Sequence, residues 1–284
     1  MKAATAAINE EDYPKAELWL RELVSSYPQD SRGVLALLNV LEAANKWPEA
    51  LRVSRQFQAQ YKTNPMYHVA VGRILRRTDQ TQEALAEFQL GLRYANSPDS
   101  KAQVYNAIGD TQRELGNLND AISAFRSAKA LTGQPSLGLA MTLGERDDFA
   151  GEIREYRELL AWYPTASVVL NNLSYAYAEQ GQNLSEALVY AQQAVAQEPG
   201  NSYYVDTLGW VFYKQGRLEQ AETELRRATQ MEDGNSSVHW EHLAAVMDAR
   251  GVWTPERREL RDLLRGGSTP RKLARVKEML GKLK

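Results

Sequence analysis

The sequence contains no cysteine, only three histidines and no long run of apolar residues. The missing cysteine excludes disulfide bonds, thiol catalysis and cysteine-ligated metal sites. No stretch approaches the roughly eighteen apolar residues that a membrane-spanning helix needs, and the first twelve residues lack the apolar core of a signal peptide. Basic and acidic residues number 34 and 36, so the net charge alone indicates neither a nucleic-acid partner nor a membrane partner.

A repeated pattern runs through the chain and is clearest in residues 205–228. Gly209 is followed by Phe212 after three residues and by Ala221 after twelve. Small residues at the first and last of these positions allow two helices to cross closely, while larger apolar residues fill the space between them. Gly216 falls between the two predicted helices, where a left-handed C-cap is favoured. The pattern therefore predicts a pair of antiparallel helices.

Two series of markers repeat this pair along the chain. The equivalents of Gly209 and the equivalents of Ala221 both recur at intervals of 31 to 37 residues, which indicates a period of about 34. The first series consists of Ala4, Leu38, Gly72, Gly109, Ala140, Ser174, Gly209 and Ala244. The second consists of Ala16, Ala50, Ala84, Ala121, Glu152, Ala187, Ala221 and Glu256.

The pattern resembles the signature of the tetratricopeptide repeat, W-x2-L-G-x2-Y…A-x3-F…P. Val205, Phe212 and Leu225 stand in place of its Trp, Tyr and Phe. This resemblance covers nearly the whole chain and identifies a structural family without implying any chemistry. It implies an all-α, right-handed solenoid of about eight helix pairs with a C-terminal capping helix.

The sequence predicts three segments, which are an N-terminal half at 1–132, a C-terminal half at 133–265 and a basic capping helix at 266–284. The first helix of repeat one is expected to begin before Met1, so we interpret the chain as a fragment with a truncated first repeat. The alternative is a first repeat whose first helix is simply short. From Arg250 onward there are eleven basic and four acidic residues, a net charge of +7. We interpret this end as a cap with a solvated basic face rather than as a docking surface.

The histidines are the main candidates for metal binding or catalysis. His239 and His242 are three residues apart and share a face of one predicted helix. No third ligand is indicated, and H-W-E-H differs from the H-E-x-x-H motif of metalloproteases. We interpret both histidines as packing residues, and the carboxylates are scattered singly along the helices. The sequence therefore predicts no enzyme, no cofactor and no metal site.

The resemblance also implies where a partner would bind, because the first (A) helix of each tetratricopeptide repeat lines a concave groove with its positions 2, 5, 9, 12 and 13. In the N-terminal half, four arginines of this set could bind carboxylates, phosphates or acidic peptides. The alternative is a solvated basic face that neighbouring acids balance. The candidate residues there are Asn39, Arg73, Arg76, Arg77, Asn106, Asp110 and Arg113.

The corresponding positions of the C-terminal half combine aromatic rings with amide and carboxylate groups, a composition typical of recognition surfaces. Some of the rings could instead only fill the layer of A helices. The candidates are Asn171, Asn172, Tyr175, Tyr203, Asp206, Trp210 and Tyr213. Of the residues at positions where related proteins grip a C-terminal carboxylate, only Asn172 matches in this half, so that kind of site is not expected.

We therefore predict a non-catalytic scaffold that binds a protein or peptide in its groove. Residues 168–230 resemble bacterial members that serve exopolysaccharide export, outer-membrane lipoprotein complexes or envelope protein turnover. This resemblance favours a periplasmic or outer-membrane-associated location, with the cytoplasm as the alternative. An adaptor that delivers substrates to a protease or synthase, and self-assembly through the truncated first repeat, remain open. Nucleic acid is not expected, and a membrane would be contacted only indirectly or through the basic C-terminal helix.

Overall fold

The structure is a computed structural model that describes residues 2–231 and 236–251, and these residues form α-helices without any β-strand. The all-α prediction is thereby confirmed for the described part of the chain. The helices are α1 (Lys2–Asn9), α2 (Tyr13–Ser26), α3 (Ser31–Ala43), α4 (Trp47–Tyr61), α5 (Pro65–Arg77), α6 (Thr81–Tyr94), α7 (Pro98–Glu114), α8 (Leu118–Thr132), α9 (Leu137–Glu145), α10 (Phe149–Trp162), α11 (Ser167–Gln180), α12 (Leu184–Gln197), α13 (Ser202–Lys214), α14 (Leu218–Gln230) and α15 (Ser237–Arg250).

The odd-numbered helices are the A helices of the repeats and the even-numbered helices are their B partners. Within each unit of the fold, helices that follow one another in sequence pack against each other, and some A helices also contact the A helix of the next repeat, as α3 does with α5 and α11 with α13. α15 is the A helix of the eighth repeat. The predicted second helix of that repeat, the marker Glu256 and the predicted capping helix at 266–284 lie outside the described residues.

Residues of both marker series occupy crossings between paired helices in the described part of each unit. All six alanines of the second series have no exposed surface. In the first series, a Cβ added to Gly109 would lie 2.7 Å from the ring of Phe125, so the ring fills the space that the glycine leaves. At Gly209 an added Cβ would lie 2.7 Å from Leu225 Cγ, so the leucine side chain fills the corresponding space. The period read from the sequence therefore corresponds to a packing requirement that recurs in each pair.

A left-handed residue marks each turn from an A helix into the B helix that follows it. Gly216 has a φ of +74° and follows α13, as predicted, and its amide donates to the carbonyl of Tyr213. A residue with a positive φ lets the chain leave one helix and enter the next within a few residues. The other turns use Glu11, Asn45, Asp79, Gly116, Asp147, Gly181 and Asn183, and Gly251 follows α15.

Two repeats depart from the regular length. The interval from Gly72 to Gly109 is 37 residues, three more than the period of about 34. Pro98 is the first residue of α7, which has 17 residues, because Ser97 caps the helix and forms a capping box with Ser100. In repeat five the A helix α9 has only 9 residues.

The chain divides into two compact units, residues 1–146 and 147–284. The first contains α1 to α9 and the second begins before α10. The predicted boundary after residue 132 precedes α9, so the structure assigns α9 to the first unit. Within the described residues, no helix has both the length and the apolar composition needed to cross a membrane.

Candidate functional site

Arg73 joins two of the predicted N-terminal residues in the first unit. From α5, its guanidinium donates to Asn39 Oδ1 at 2.6 Å and to Glu42 Oε2 at 2.7 Å, both on α3. Asn39 and Arg73 therefore come together as predicted. The hydrogen bonds also show that the charge of Arg73 is already balanced inside the protein by Glu42.

Arg76 and Arg113 flank Asp110, another predicted residue. Arg76 Nε lies 3.3 Å from Glu114 Oε2, and Arg113 Nη1 lies 2.8 Å from Glu145 Oε1. Burial raises the pKa of Asp110 above its usual value, although the two arginines act in the opposite direction. The alternative of a basic face balanced by neighbouring acids thus describes these residues, since each guanidinium has a carboxylate beside it.

Arg77 differs from the other three arginines. It is exposed, and no carboxylate of the described residues pairs with it. Together with Asn39 and Arg73 it lines a cavity of about 600 Å³, to which Asn45 and Trp47 also contribute. The predicted Asn106 is exposed and lines a second cavity of about 400 Å³, beside α8 and α9.

Trp210 is the centre of an aromatic stack in the second unit. Its ring lies 3.9 Å from that of His242 and 4.7 Å from that of Tyr213, both nearly parallel. Its Nε1 donates to Glu179 Oε1 at 2.6 Å. The two predicted aromatics Trp210 and Tyr213 therefore lie together, and the ring of His242 stacks on Trp210 as well.

Asp206 connects α13 with α15. It is buried, and its Oδ2 lies 2.7 Å from Nδ1 of His242, whose ring is 6.1 Å from that of Tyr175. Burial raises the pKa of Tyr175 to about 12, and the nearby carboxylates, Glu179 and Asp206 foremost, add to the effect. Three predicted residues, Tyr175, Asp206 and Trp210, thus surround His242.

The remaining predicted residues of this unit lie at the first turns of the A helices. Tyr203 is 53% exposed, and its ring lies 4.8 Å from that of the buried His239. Asn171 is buried and donates from Nδ2 to Asn172 Oδ1 at 3.2 Å. Both histidines pack against rings, and within residues 2–231 and 236–251 no group of three or more potential ligands could hold a metal ion.

The comparison with family models matches the tetratricopeptide repeat at residues 102–134, which contain most of α7 and all of α8. These residues therefore match one tetratricopeptide repeat. Over 91 residues it is 32% identical to the TPR repeat-containing protein PA4667 of Pseudomonas aeruginosa, which amounts to 32% of this chain and 15% of that protein. The chain therefore corresponds to only a small part of that relative.

Solved structures match a much larger part of the chain. A chain of the APC/C hetero-tetramer Cut9–Hcn1 superposes with a TM-score of 0.69 and 16% identity, covering 86% of this chain and 48% of that one. A tetratricopeptide repeat protein from Parabacteroides merdae gives a TM-score of 0.59 and 17% identity, and the match covers 87% of this chain and 96% of that one. At these identities the likeness shows the fold alone.

Several residues that contact or line these candidate sites were not among the candidates predicted from the sequence. Glu179 and Lys214 occupy position 13 of their repeats, which the tetratricopeptide pattern assigns to the groove, so the same mapping could have found them. His242 was interpreted only as a packing residue, although it contacts Asp206 and Trp210. Trp47 begins a B helix, and no groove position of the repeat pattern indicates it.

Proposed function

We propose that this protein is a non-catalytic scaffold that binds a protein or peptide partner through its A helices. The observation that carries the proposal is the exposure of Tyr203 beside the half-buried Trp210 and Tyr213 on α13. The pairing of α13 with α14 uses Gly209 and Leu225 and leaves these rings on another side of the helix. Large, rigid rings with polar tips are typical of interface anchors.

A photo-crosslinking experiment tests this function. We would replace Tyr203 on α13, or Val189 on the B helix α12, by benzoylphenylalanine and expose the full chain to lysate of the source cell. Val189 is the matched control because it is 49% exposed, against 53% for Tyr203. We expect a specific protein adduct from position 203 and none from position 189. Adducts from 189 alone would place binding on the B helices, and the absence of adducts from both would contradict the scaffold function.

We further propose that the scaffold acts in a bacterial envelope, within a secretion or polysaccharide-export assembly, at the periplasm or the outer membrane. The likeness of residues 168–230 to bacterial envelope repeats and the relative in Pseudomonas aeruginosa support this proposal. Fractionation of the source cell, with antibody detection of the protein, would test it. Recovery with the periplasm or the outer membrane is expected, whereas recovery in the cytoplasm alone would contradict the proposal.

A further inference from the structure

The A-helix surface of the second unit contains hydrogen-bond acceptors that the protein itself does not use. We call this surface the acidic aromatic face, and it consists of Asn171, Tyr175, Glu179, Asp206, Trp210, Tyr213, Glu241 and His242 on α11, α13 and α15, with Glu152 of α10. Oδ1 of Asn171 and Oδ1 of Asp206 are both buried and have no hydrogen-bond partner within the described chain. Buried acceptors without partners are unfavourable, and because the protein covers both oxygens, they add to the negative potential of the face rather than contact a ligand directly.

The same face carries an excess of negative charge. Burial is the main cause of the raised pKa of Tyr175, but the carboxylates of Glu179, Asp206, Glu152 and Glu241 also raise it, so all four act on one phenol. Asp206 contacts His242, and Glu179 contacts a lysine, whereas the exposed Glu241 forms no ion pair within the described residues. The charge of this surface is therefore complementary to a cationic ligand.

Lys214 shows where a cation fits. Its Nζ lies 3.3 Å from Glu179 Oε1 and 5.0 Å from the centre of the Trp210 ring system. The same carboxylate oxygen accepts the indole hydrogen bond of Trp210 at 2.6 Å. Lys214 comes from the last turn of α13 and its side chain is 26% exposed, so it can turn towards solvent and leave this position.

A guanidinium satisfies this surface better than the ammonium that now lies there. It is planar and carries five donors, so it can engage a carboxylate while it lies against an aromatic ring. Packed helices lie about 8–10 Å apart and an extended chain rises about 3.3 Å per residue, so a segment that crosses α11, α13 and α15 passes one helix every three residues or so. Several donors of such a segment would then face the carboxylates of this surface.

We propose that the acidic aromatic face binds an extended basic segment of a protein partner, with an arginine side chain replacing Lys214 on Glu179 beside Trp210. The inference rests on the proposed scaffold function and names the chemistry of the partner. The affinity is electrostatic in part, so it falls as the salt concentration rises.

The indole proton of Trp210 reports directly on Glu179, because it is bonded to that carboxylate. We would follow it by NMR in the full chain, assign it with Trp210→Phe, and titrate Nα-acetyl-arginine N-methylamide. The citrulline analogue is the matched probe, since it has nearly the same shape without the charge. We expect a saturable shift with arginine, an affinity for citrulline about tenfold lower or weaker still, and no shift of the buried Trp240 proton.

Three variants make the test specific. Glu179→Gln should abolish the arginine-dependent shift, and Lys214→Met should strengthen arginine binding about threefold, because the internal competitor is gone. Glu219→Gln is the control, since this carboxylate lies on α14 with its side chain 79% exposed, and it should leave the titration unchanged. Circular dichroism checks that each variant keeps its helices.

The inference is overturned if arginine causes no shift, if citrulline binds equally well, or if Glu179→Gln binds arginine as the parent does. Its failure is distinguishable from failure of the scaffold function. A partner that still crosslinks to position 203 while arginine has no effect would retain the scaffold and remove only the arginine site. If neither the crosslink at position 203 nor the arginine-dependent shift is observed, both proposals are contradicted.

Discussion

Glu152 is the residue at which the repeat pattern and the local environment disagree most. Six other repeats bury an alanine at this position, whereas α10 places a half-buried carboxylate there. Tyr156, one turn later, is buried as the pattern expects, so the register of the repeat is kept. Burial raises the pKa of Glu152 to about 7, because a half-buried carboxylate is poorly solvated when it is charged.

We predict that this carboxylate makes the protein less stable as the pH rises. The pKa is about 7 in the folded protein and 4.5 without the fold, so the folded state binds more protons between these values. The free energy of unfolding should therefore fall as the pH increases from 4.5 to 7 and should then level off. Partial exposure screens the effect, which leaves on the order of 1–2 kcal/mol.

Glu152→Gln is the variant that isolates this contribution. The amide has the size of the carboxylic acid and cannot ionise, so urea denaturation of the variant should give the larger free energy of unfolding at pH 8 and a matching value near pH 4. Other groups titrate in both proteins and cancel in the difference. If the free energies of unfolding of parent and variant differ by the same amount at both pH values, ionisation of Glu152 does not contribute to the stability of the fold.

The candidate residues show what the sequence could predict at this scale. The repeat positions assigned Asn39, Arg73, Trp210 and Tyr213 to the A helices. In the structure Asn39 contacts Arg73 and Trp210 stacks on Tyr213, because residues one repeat apart, or one turn apart, become neighbours. The pattern could not show that Glu42 already pairs with Arg73, since an ion pair depends on side-chain conformations that periodicity does not contain. In the same way it did not foresee the ring of His242 against Trp210.

At the scale of the helix, the crossing of each pair is the feature that the sequence predicted best. A period of about 34 with small residues at two positions is enough to place the helix pairs, because close crossings exclude large side chains there. The lengths of individual helices were not predicted. α7 gains its extra turn from the cap at Ser97, and this local hydrogen bonding lies outside the repeat pattern.

We predict that Gly209→Ala destabilises the second unit by about 1–2 kcal/mol, because overpacking outweighs the gain in helix propensity. The new Cβ would lie 2.7 Å from Leu225 Cγ and 3.2 Å from the backbone nitrogen of Leu225, which cannot move without shifting α14. Thermal unfolding followed by circular dichroism would measure the change.

Gly200→Ala is the control for that substitution. Gly200 lies in the turn before α13, and no heavy atom outside its neighbours comes within 4 Å of an added Cβ. The free energy of unfolding of the alanine variant should lie within about 0.5 kcal/mol of that of the parent, as is usual for surface substitutions. Equal stability of both variants would mean that the close approach of α13 and α14 does not depend on the glycine.

At the scale of the whole molecule, stability is expected to be distributed along the chain rather than shared by one core. The chain divides into two compact units, and within each unit the contacts join helices to their neighbours in sequence and, in several repeats, to the next A helix. In such an arrangement each repeat is stabilised by its own pairing and by the interfaces to its neighbours. A defect in one repeat should therefore loosen that repeat and those beside it first.

Leu225→Ala tests this expectation, because Leu225 is fully buried against Gly209 and its truncation should cost about 2–5 kcal/mol. Hydrogen exchange measured by mass spectrometry should show lost protection in α13 and α14, a smaller loss in α12 and α15, and none in α3 to α6. Leu18→Ala is the matched control, since Leu18 is 65% exposed and its truncation should leave exchange unchanged. An equal loss of protection in every helix would instead mean that the repeats unfold together, and coupling across the whole chain would then outweigh the nearest-neighbour contacts.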